Sequence, residues 1–479
     1  MCFRMKEKIL MILLLLFSII LNDQAANNLF DGFAAKGAFC IAESDPIYPN
    51  NPTPYSPKDV GMNPVELARI DAIVKEGIKA RVFPGCQVLV LKEGKPVYDK
   101  CFGNYTYDSM QKVQPTTMYD LASLSKTTGT LLAIMKLYDD GKLKLTDKAS
   151  NYLNFLRGTD KENITIKELL FHESGLPAYL PIYWLAVEKN SAPILLASTK
   201  KPALTVKTDT NRISGTSFCY KEGWVSKIPS LEYPYQASDN LYITNRFHDA
   251  AMQKIAETKL CSKTYCYSCL NFILLKEIVE KISSANMDVF LNNEFFSPMK
   301  LNNIAYIPLR THKKEEIAPT LKKDVLRQGE IQGYVNDLDA AFLGGVSGNA
   351  GLFASARNVA TVYQMLLNNG ELDGKRYLSA ETCRLFTTTT SASGRRNLGF
   401  DKPVPGNQKH SPCCISAPRV VYGHTGYTGT CCWVDPLNRL VYVFLSNRTY
   451  PYDGVNKLAK TGIRTKIQEV IYQSMKRKN

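Results

Sequence analysis

The period of apolar positions changes several times along the chain, and each change predicts an element. From Asn63 onward Leu67, Ile70, Ile73 and Val74 recur at helical spacing on one face. Asn63 is placed to cap this helix, Pro64 to take its first position and Glu66 to complete a capping box. The period then shortens. Gln87 to Lys92 and Pro96 to Phe102 read as two strands, with Glu93-Gly94 as the hairpin turn between them. Leu121 to Asp139 reads as a helix closed by Gly141, and Ile164 to His172, Asn271 to Ile282 and Val359 to Leu367 are further helical stretches. Near the end strands return. Gly429 to Asp435 and Leu440 to Ser446 flank a turn at Pro436 to Arg439, and Val455 to Met475 reads as a closing helix.

Strands at both ends with helices between predict an α/β (α+β) fold: one antiparallel sheet fed by both termini and flanked by helices, with a mainly helical insert at about 141–327. No internal repeat interrupts this plan. The sheet and its helices occupy residues 60–479 as one domain, preceded by a loop-like extension, 27–59, rich in Asn, Pro and Ser.

The first segment has a different pattern. Arg4, Lys6 and Lys8 form a basic head before an apolar run from Ile9 to Leu21. That run is about 13 residues, short of the about 20 that span a bilayer, so residues 1–26 read as a secretory signal. Ala25-Ala26 supplies small residues for cleavage, but Asp23 and Gln24 fit the site poorly, which leaves an uncleaved anchor as the alternative. The expectation is an exported protein, periplasmic or at the cell envelope, meeting a membrane only through that N-terminal segment.

Composition then narrows the classes. With 479 residues, 45% hydrophobic and 22% charged, the chain is globular rather than disordered or fibrous. Its net charge of +15 is scattered, with no arginine-rich stripe interleaved with aromatics, so nucleic acid is not an expected partner. Thirteen cysteines include Cys2 in the signal. Cys261, Cys266 and Cys269 have loosely metal-like spacing without a matching second pair, and no metal is expected there. Cys413-Cys414 and Cys431-Cys432 are placed to bridge around His424, with connectivity open.

The sharpest local chemistry is Ser123-Leu124-Ser125-Lys126 at a helix start, following Tyr119-Asp120-Leu121-Ala122. Residues three apart share a helix face, so the Ser123 hydroxyl and the Lys126 amine can meet. A serine is a poor nucleophile until its proton is taken, and a lysine desolvated at a helix start can have a lowered pKa and take it. The Ser123 N–H is placed to help hold an oxyanion.

Two later stretches complete an ordered set: Tyr267-Ser268-Cys269 before a helix, and His424-Thr425-Gly426 before a strand. With Leu169 to Pro177 and Gly344 to Phe353 in support, the chain resembles the serine β-lactamase and penicillin-binding protein superfamily over about Gly61 to Ser474. Within it, the chain looks like the class C β-lactamase-related branch of D-alanyl-D-alanine carboxypeptidases and esterases. It is also similar to the β-lactamase-like half of Bacteroidetes proteins that carry a peptidoglycan-directed glycosidase.

The resemblance implies the β-lactamase/transpeptidase-like fold, and an acyl-enzyme on Ser123 with neither metal nor organic cofactor. It implies that Lys126 and Tyr267 share proton transfer, and that His424 joins them in a catalytic strand that lines the cleft. Thr425, Gly426 and the Tyr427 N–H would bind substrate and oxyanion. A phenol, with pKa ~10, serves as base only where cations such as Lys126 favour the phenolate. Small peptides, esters or β-lactams are the implied substrates, with peptidoglycan as partner. Two departures stand out. The tyrosine triplet ends in Cys269 where the family has a substrate-binding asparagine, and a thiol hydrogen-bonds weakly. Asn271, two residues on, is a substitute that a helix would point elsewhere. Asn336 and Asn349 stand where Bacteroidetes relatives often carry histidine.

His172 reads as a buried histidine tying loops together, and Ser174-Gly175 as a turn. One rival reading takes Gly345-Val346-Ser347-Gly348-Asn349 as a nucleophile elbow with Asp401 and His424 following, although the last glycine is missing. Another, kept open by Cys269, is a penicillin-binding sensor or receptor with little turnover.

Overall fold

The computed structural model describes residues 56–188, 220–404, 406 and 410–475. All of them lie in the unit Asp45–Asn479. The signal at 1–26, nearly all of the extension 27–59, Cys40 and Cys219 fall outside the described residues.

The fold is built on a five-stranded sheet that takes strands from both ends of the chain. β1 (Gly85–Lys92) and β2 (Lys95–Gly103) come first; β3 (Tyr422–Thr425), β4 (Cys431–Asp435) and β5 (Leu440–Ser446) come last. Their spatial order is β3-β4-β5-β1-β2, antiparallel throughout. The β1–β2 turn has Glu93 and Gly94 both at positive φ, +56° and +75°, the twist a two-residue hairpin requires. The alternation that marks a half-buried strand is absent from β1 and β5 because both faces are covered. Cys86, Val88 and Val90 of β1 join Trp433, Tyr442 and Phe444 in one core, which also holds Ile70 and Val74 of α1 (Arg69–Lys79) and Ile467, Val470 and Ile471 of α5 (Ile463–Met475). Leu89 and Leu91 point the other way, into the larger core with α2 (Leu131–Asp139), α3 (Cys269–Ser283) and α4 (Ala356–Leu367). The sheet is thus the middle layer of three.

Several expected boundaries shift for local reasons. Asn63 does cap, accepting from Val65 N at 2.9 Å, but Glu66 pairs with Arg69 at 2.7 Å instead of closing a capping box. The closing helix breaks at Gly462, φ +64°, into Lys457–Thr461 and α5. The helix expected over 121–139 begins as a 3₁₀ turn at Ala122–Leu124, widens to a π turn at Lys126–Thr130, and becomes regular only in α2. Between 141 and 327 the described residues carry helices Ile166–Phe171, Phe247–Glu257, α3 and Met287–Leu291. They add a small sheet of Val225–Ser226, Leu241–Ile243 and Tyr235–Ser238. No helix among the described residues is long and apolar enough to cross a membrane.

Candidate active site

The site forms where the sheet edge β3 meets the start of the 122–139 helical run and the N-terminus of α3. Three local devices place it. Tyr119–Asp120 is a short strand paired with Leu352–Ala354, and the chain leaves it through Ala122 at φ +47°, a conformation rare for a residue with a side chain. The next residue, Ser123, is half-buried, whereas Ser125 is fully buried and accepts from Leu352 N. The π turn that follows buries Lys126. α3 is capped by Ser268, which accepts from Leu270 N, so Tyr267 stands just ahead of the helix and Cys269 at its first position.

The turn from β3 to β4 is fastened to this region. Thr428 Oγ1 donates to Asp120 O at 2.6 Å and Thr430 Oγ1 to Leu121 O at 2.8 Å. A Cβ at Gly426 would collide with Leu121 O and Thr430 Oγ1, so only glycine permits this approach. Thr425 is half-buried and Tyr427 exposed beside Ser123's turn.

Within the site Ser123 Oγ accepts from Lys126 Nζ at 2.9 Å and from Tyr267 Oη at 3.0 Å. Lys126 Nζ also donates to Asn349 O at 2.9 Å and contacts Cys269 Sγ at 3.5 Å. Three acceptors match the three protons of an ammonium. Here the structure corrects the expected lowered pKa of Lys126. Burial does push it down, but Cys269, Tyr267 and Asp337 more than offset burial, and the group is held above its ordinary value. That direction runs against the neutral base of the sequence reading. Burial pushes the Cys269 thiol up, although Lys126 pulls it the other way.

His424 also departs from expectation. It is 3% exposed, and both ring nitrogens are engaged away from Ser123. Nε2 faces Arg396 Nη2 at 3.2 Å, and Nδ1 lies 2.6 Å from Thr425 O. A guanidinium only donates and a carbonyl only accepts, which assigns the neutral Nδ1–H tautomer. Burial, with Arg396 beside it, pushes the His424 pKa down to about 3. Its ring accepts from Arg396 and lies 6.0 Å from the Tyr267 ring, centroid to centroid.

Arg396 is the residue that sequence reasoning missed. Its side chain is wholly buried, and its Cζ lies 5.4 Å from the centroid of the Tyr267 ring. Lys126 Nζ lies 5.2 Å from the same centroid, so two cations flank the phenol. Nη1 is 3.5 Å from Asp401 Oδ2, and Arg395 also pairs with Asp401. Despite burial, Arg396 and Arg395 hold the Asp401 carboxyl below its ordinary range. Among the described residues Arg396 Nε and Nη1 have no hydrogen-bond partner. The only hint in the sequence is the Arg395-Arg396 doublet ahead of Asp401.

His172 is buried and ties loops as expected: Nδ1 faces Ser268 N at 3.1 Å and Asn271 Nδ2 at 2.9 Å. Asn271 is thereby spent away from Ser123, its Oδ1 accepting from Ser174. Asn336 offers backbone groups, its N–H donating to Asp120 and its carbonyl accepting from Arg327. Ser347, the nucleophile of the rival elbow, is 1% exposed with its hydroxyl donating to Asn349. It belongs to packing. Cys413, Cys414, Cys431 and Cys432 are all free thiols, so the bridge around His424 is not made.

Comparisons with known proteins show the family and the fold. The family model described as Beta-lactamase matches residues 70–462. Two proteins named "Putative D-alanyl-D-alanine carboxypeptidase", from Escherichia coli O157:H7 and strain K12, are 29% and 28% identical to the chain. Each alignment covers 83% of this chain and 86% of the relative. Among solved structures, EstCE1, described as a hydrolase with promiscuous acyltransferase activity, superposes with a TM-score of 0.58 at 16% identity, over 85% of this chain and 99% of that one. A class C β-lactamase gives 0.56 at 15% identity, over 86% and 98%. At these identities the structural likeness shows the fold.

Proposed function

The chain belongs to the β-lactamase family of serine hydrolases, and on that premise we propose that it is an exported hydrolase working through an acyl-enzyme on Ser123. The observation that carries this reading is one hydroxyl, Ser123 Oγ, held at 2.9 Å by Lys126 and at 3.0 Å by Tyr267.

Ser123 Oγ attacks the substrate carbonyl carbon. Tyr267 first gives up its phenol proton to bulk water, and the phenolate then takes the Ser123 proton along the line on which the phenol donates at rest. The phenolate charge develops on a ring whose centroid lies 5.2 Å from Lys126 Nζ and 5.4 Å from Arg396 Cζ. Lys126 keeps its proton and orients Ser123. The N–H groups of Ser123 and Tyr427 hold the oxyanion, brought together by Thr428 and Thr430. Tyr267 then returns the proton to the leaving amine or alkoxide. Water takes the same path in reverse, giving its proton to Tyr267 as it attacks the acyl carbon, and Ser123 Oγ recovers that proton as it leaves.

The substrates are D-amino-acid peptides of the cell wall or small esters and amides. The names of the Escherichia coli relatives support the first class, and Cys269 in place of an amide favours the second. Export rests on Arg4, Lys6, Lys8 and the run Ile9 to Leu21, and fractionation with N-terminal sequencing checks it. Release of D-alanine from a D-alanyl-D-alanine peptide, set beside hydrolysis of a nitrophenyl ester, tests the substrate. Turnover of either, lost in Ser123→Ala, supports the hydrolase. Stoichiometric acylation by penicillin with turnover of neither favours the sensor reading that Cys269 keeps open.

A further inference from the structure

We propose that Asp120 is a positioning residue that holds Ser123 and the carbonyl acceptor of Lys126 in register with each other. This rests on the reading of Ser123 as nucleophile. Asp120 is 1% exposed at the end of its short strand, and its two carboxylate oxygens act in different directions. Oδ1 accepts from Ala122 N at 2.8 Å, closing the turn in which Ala122 takes φ +47° and delivers Ser123. Oδ2 accepts from Asn336 N at 2.6 Å. One residue further, Asp337 Oδ1 accepts from Asn349 Nδ2 at 3.3 Å, and Asn349 O is the acceptor of Lys126. The Asp120 carbonyl meanwhile takes Thr428 Oγ1, fixing the turn that presents the Tyr427 N–H. One residue therefore joins the turn of the nucleophile, the loop behind the ammonium, and the second oxyanion donor.

Both oxygens are strong acceptors only while the carboxyl is ionised. A proton on either one leaves a weaker acceptor facing an N–H and loosens that arm. Burial raises Asp120 to about 6, and the nearby Asp337 carboxylate adds to this. The Asn336 and Ala122 N–H groups and the Arg327 guanidinium oppose it. The arms are thus loosened as pH falls through that value.

The test is the rate at which a fluorophosphonate labels Ser123 in the full chain, measured from pH 5 to 7.5. That rate reports the free enzyme. Asp120→Asn keeps one acceptor but turns an NH₂ toward a facing N–H. Both proteins share the dependence on Tyr267 ionisation, so it cancels in the ratio of their rates. We expect wild type to label at least about tenfold faster than D120N at pH 7, and that ratio to fall about tenfold by pH 5, with a midpoint near 6, as the Asp120 carboxylate is protonated. A ratio that stays constant from pH 5 to 7 overturns the proposal. Should that variant fail to fold, the wild-type profile decides: its log rate should be steeper by about one unit below pH 6 than above it, and a single slope from pH 5 to 7 overturns the proposal equally. Absence of any Ser123 labelling in wild type overturns the nucleophile reading and this proposal together; labelling with unchanged profiles overturns this proposal only.

Discussion

Replacing Arg396 with methionine removes one of the two cations beside Tyr267 while keeping much of the buried volume. The guanidinium carbon is 5.4 Å from the centre of the phenol ring. At an effective dielectric of about 20, unit charges at that separation interact by about 3 kcal/mol, or roughly a hundredfold in rate if the phenolate is the base. The loss should appear in kcat/KM for acylation, read with a nitrophenyl ester or as the rate of fluorophosphonate labelling at Ser123. Arg396→Lys, which keeps the charge, should recover part of it. The His424 ring supplies an independent readout. Burial and then the charge of the adjacent Arg396 hold its pKa down, so in R396M the His424 pKa should rise from about 3, a shift visible by NMR titration of the imidazole. An R396M enzyme within threefold of wild type would refute the role of the second cation. A large loss with an unchanged His424 titration would refute the geometry that links the two.

Two further outcomes follow from residues already placed. Cys269→Asn restores an amide next to Lys126, so acylation by a penicillin or turnover of a D-alanyl peptide should rise about tenfold while ester hydrolysis stays within about threefold; no gain would show that residue 269 does not limit amide recognition. His172 is pushed well below its ordinary pKa and His424 down to about 3, so both stay neutral in the fold while the unfolded chain protonates near pH 6.5. The stability they contribute is present above pH 6.5 and is lost as pH falls, at about 1.4 kcal/mol per pH unit for each ring. Urea unfolding between pH 6 and 4 should show a shallower pH slope in His424→Asn by about that amount, and an unchanged slope would contradict the buried neutral ring.

The parts of the site that the sequence made legible are those set by local spacing or chain order. Ser123 and Lys126 meet because they are three apart at a helix start, and Tyr267 is found by its place between that motif and the late strand. The hairpin of β1 and β2 was legible from Glu93-Gly94 between two apolar runs. What local pattern could not reveal is long-range. Nothing in the local pattern marks Arg396, which is buried against Asp401 and His424, two residues brought together by the pairing of Asp401 with Gly423. The direction of the Lys126 shift was not legible for a related reason. Its acceptors, Cys269 Sγ and Asn349 O, lie 143 and 223 residues away in sequence, so the sequence reveals the burial but not what compensates it. The π turn at Lys126–Thr130 likewise depends on tertiary packing, with Thr127 bonded to Tyr363 and Thr130 to Gly348.

The most direct test of the central claim is mass spectrometry of the intact protein after reaction with a fluorophosphonate and, separately, with a penicillin. The account predicts a single adduct that maps to the peptide carrying Ser123, absent in Ser123→Ala and slowed in Lys126→Ala and Tyr267→Phe. An adduct elsewhere, at Ser347 above all, or one that persists in Ser123→Ala, would contradict it.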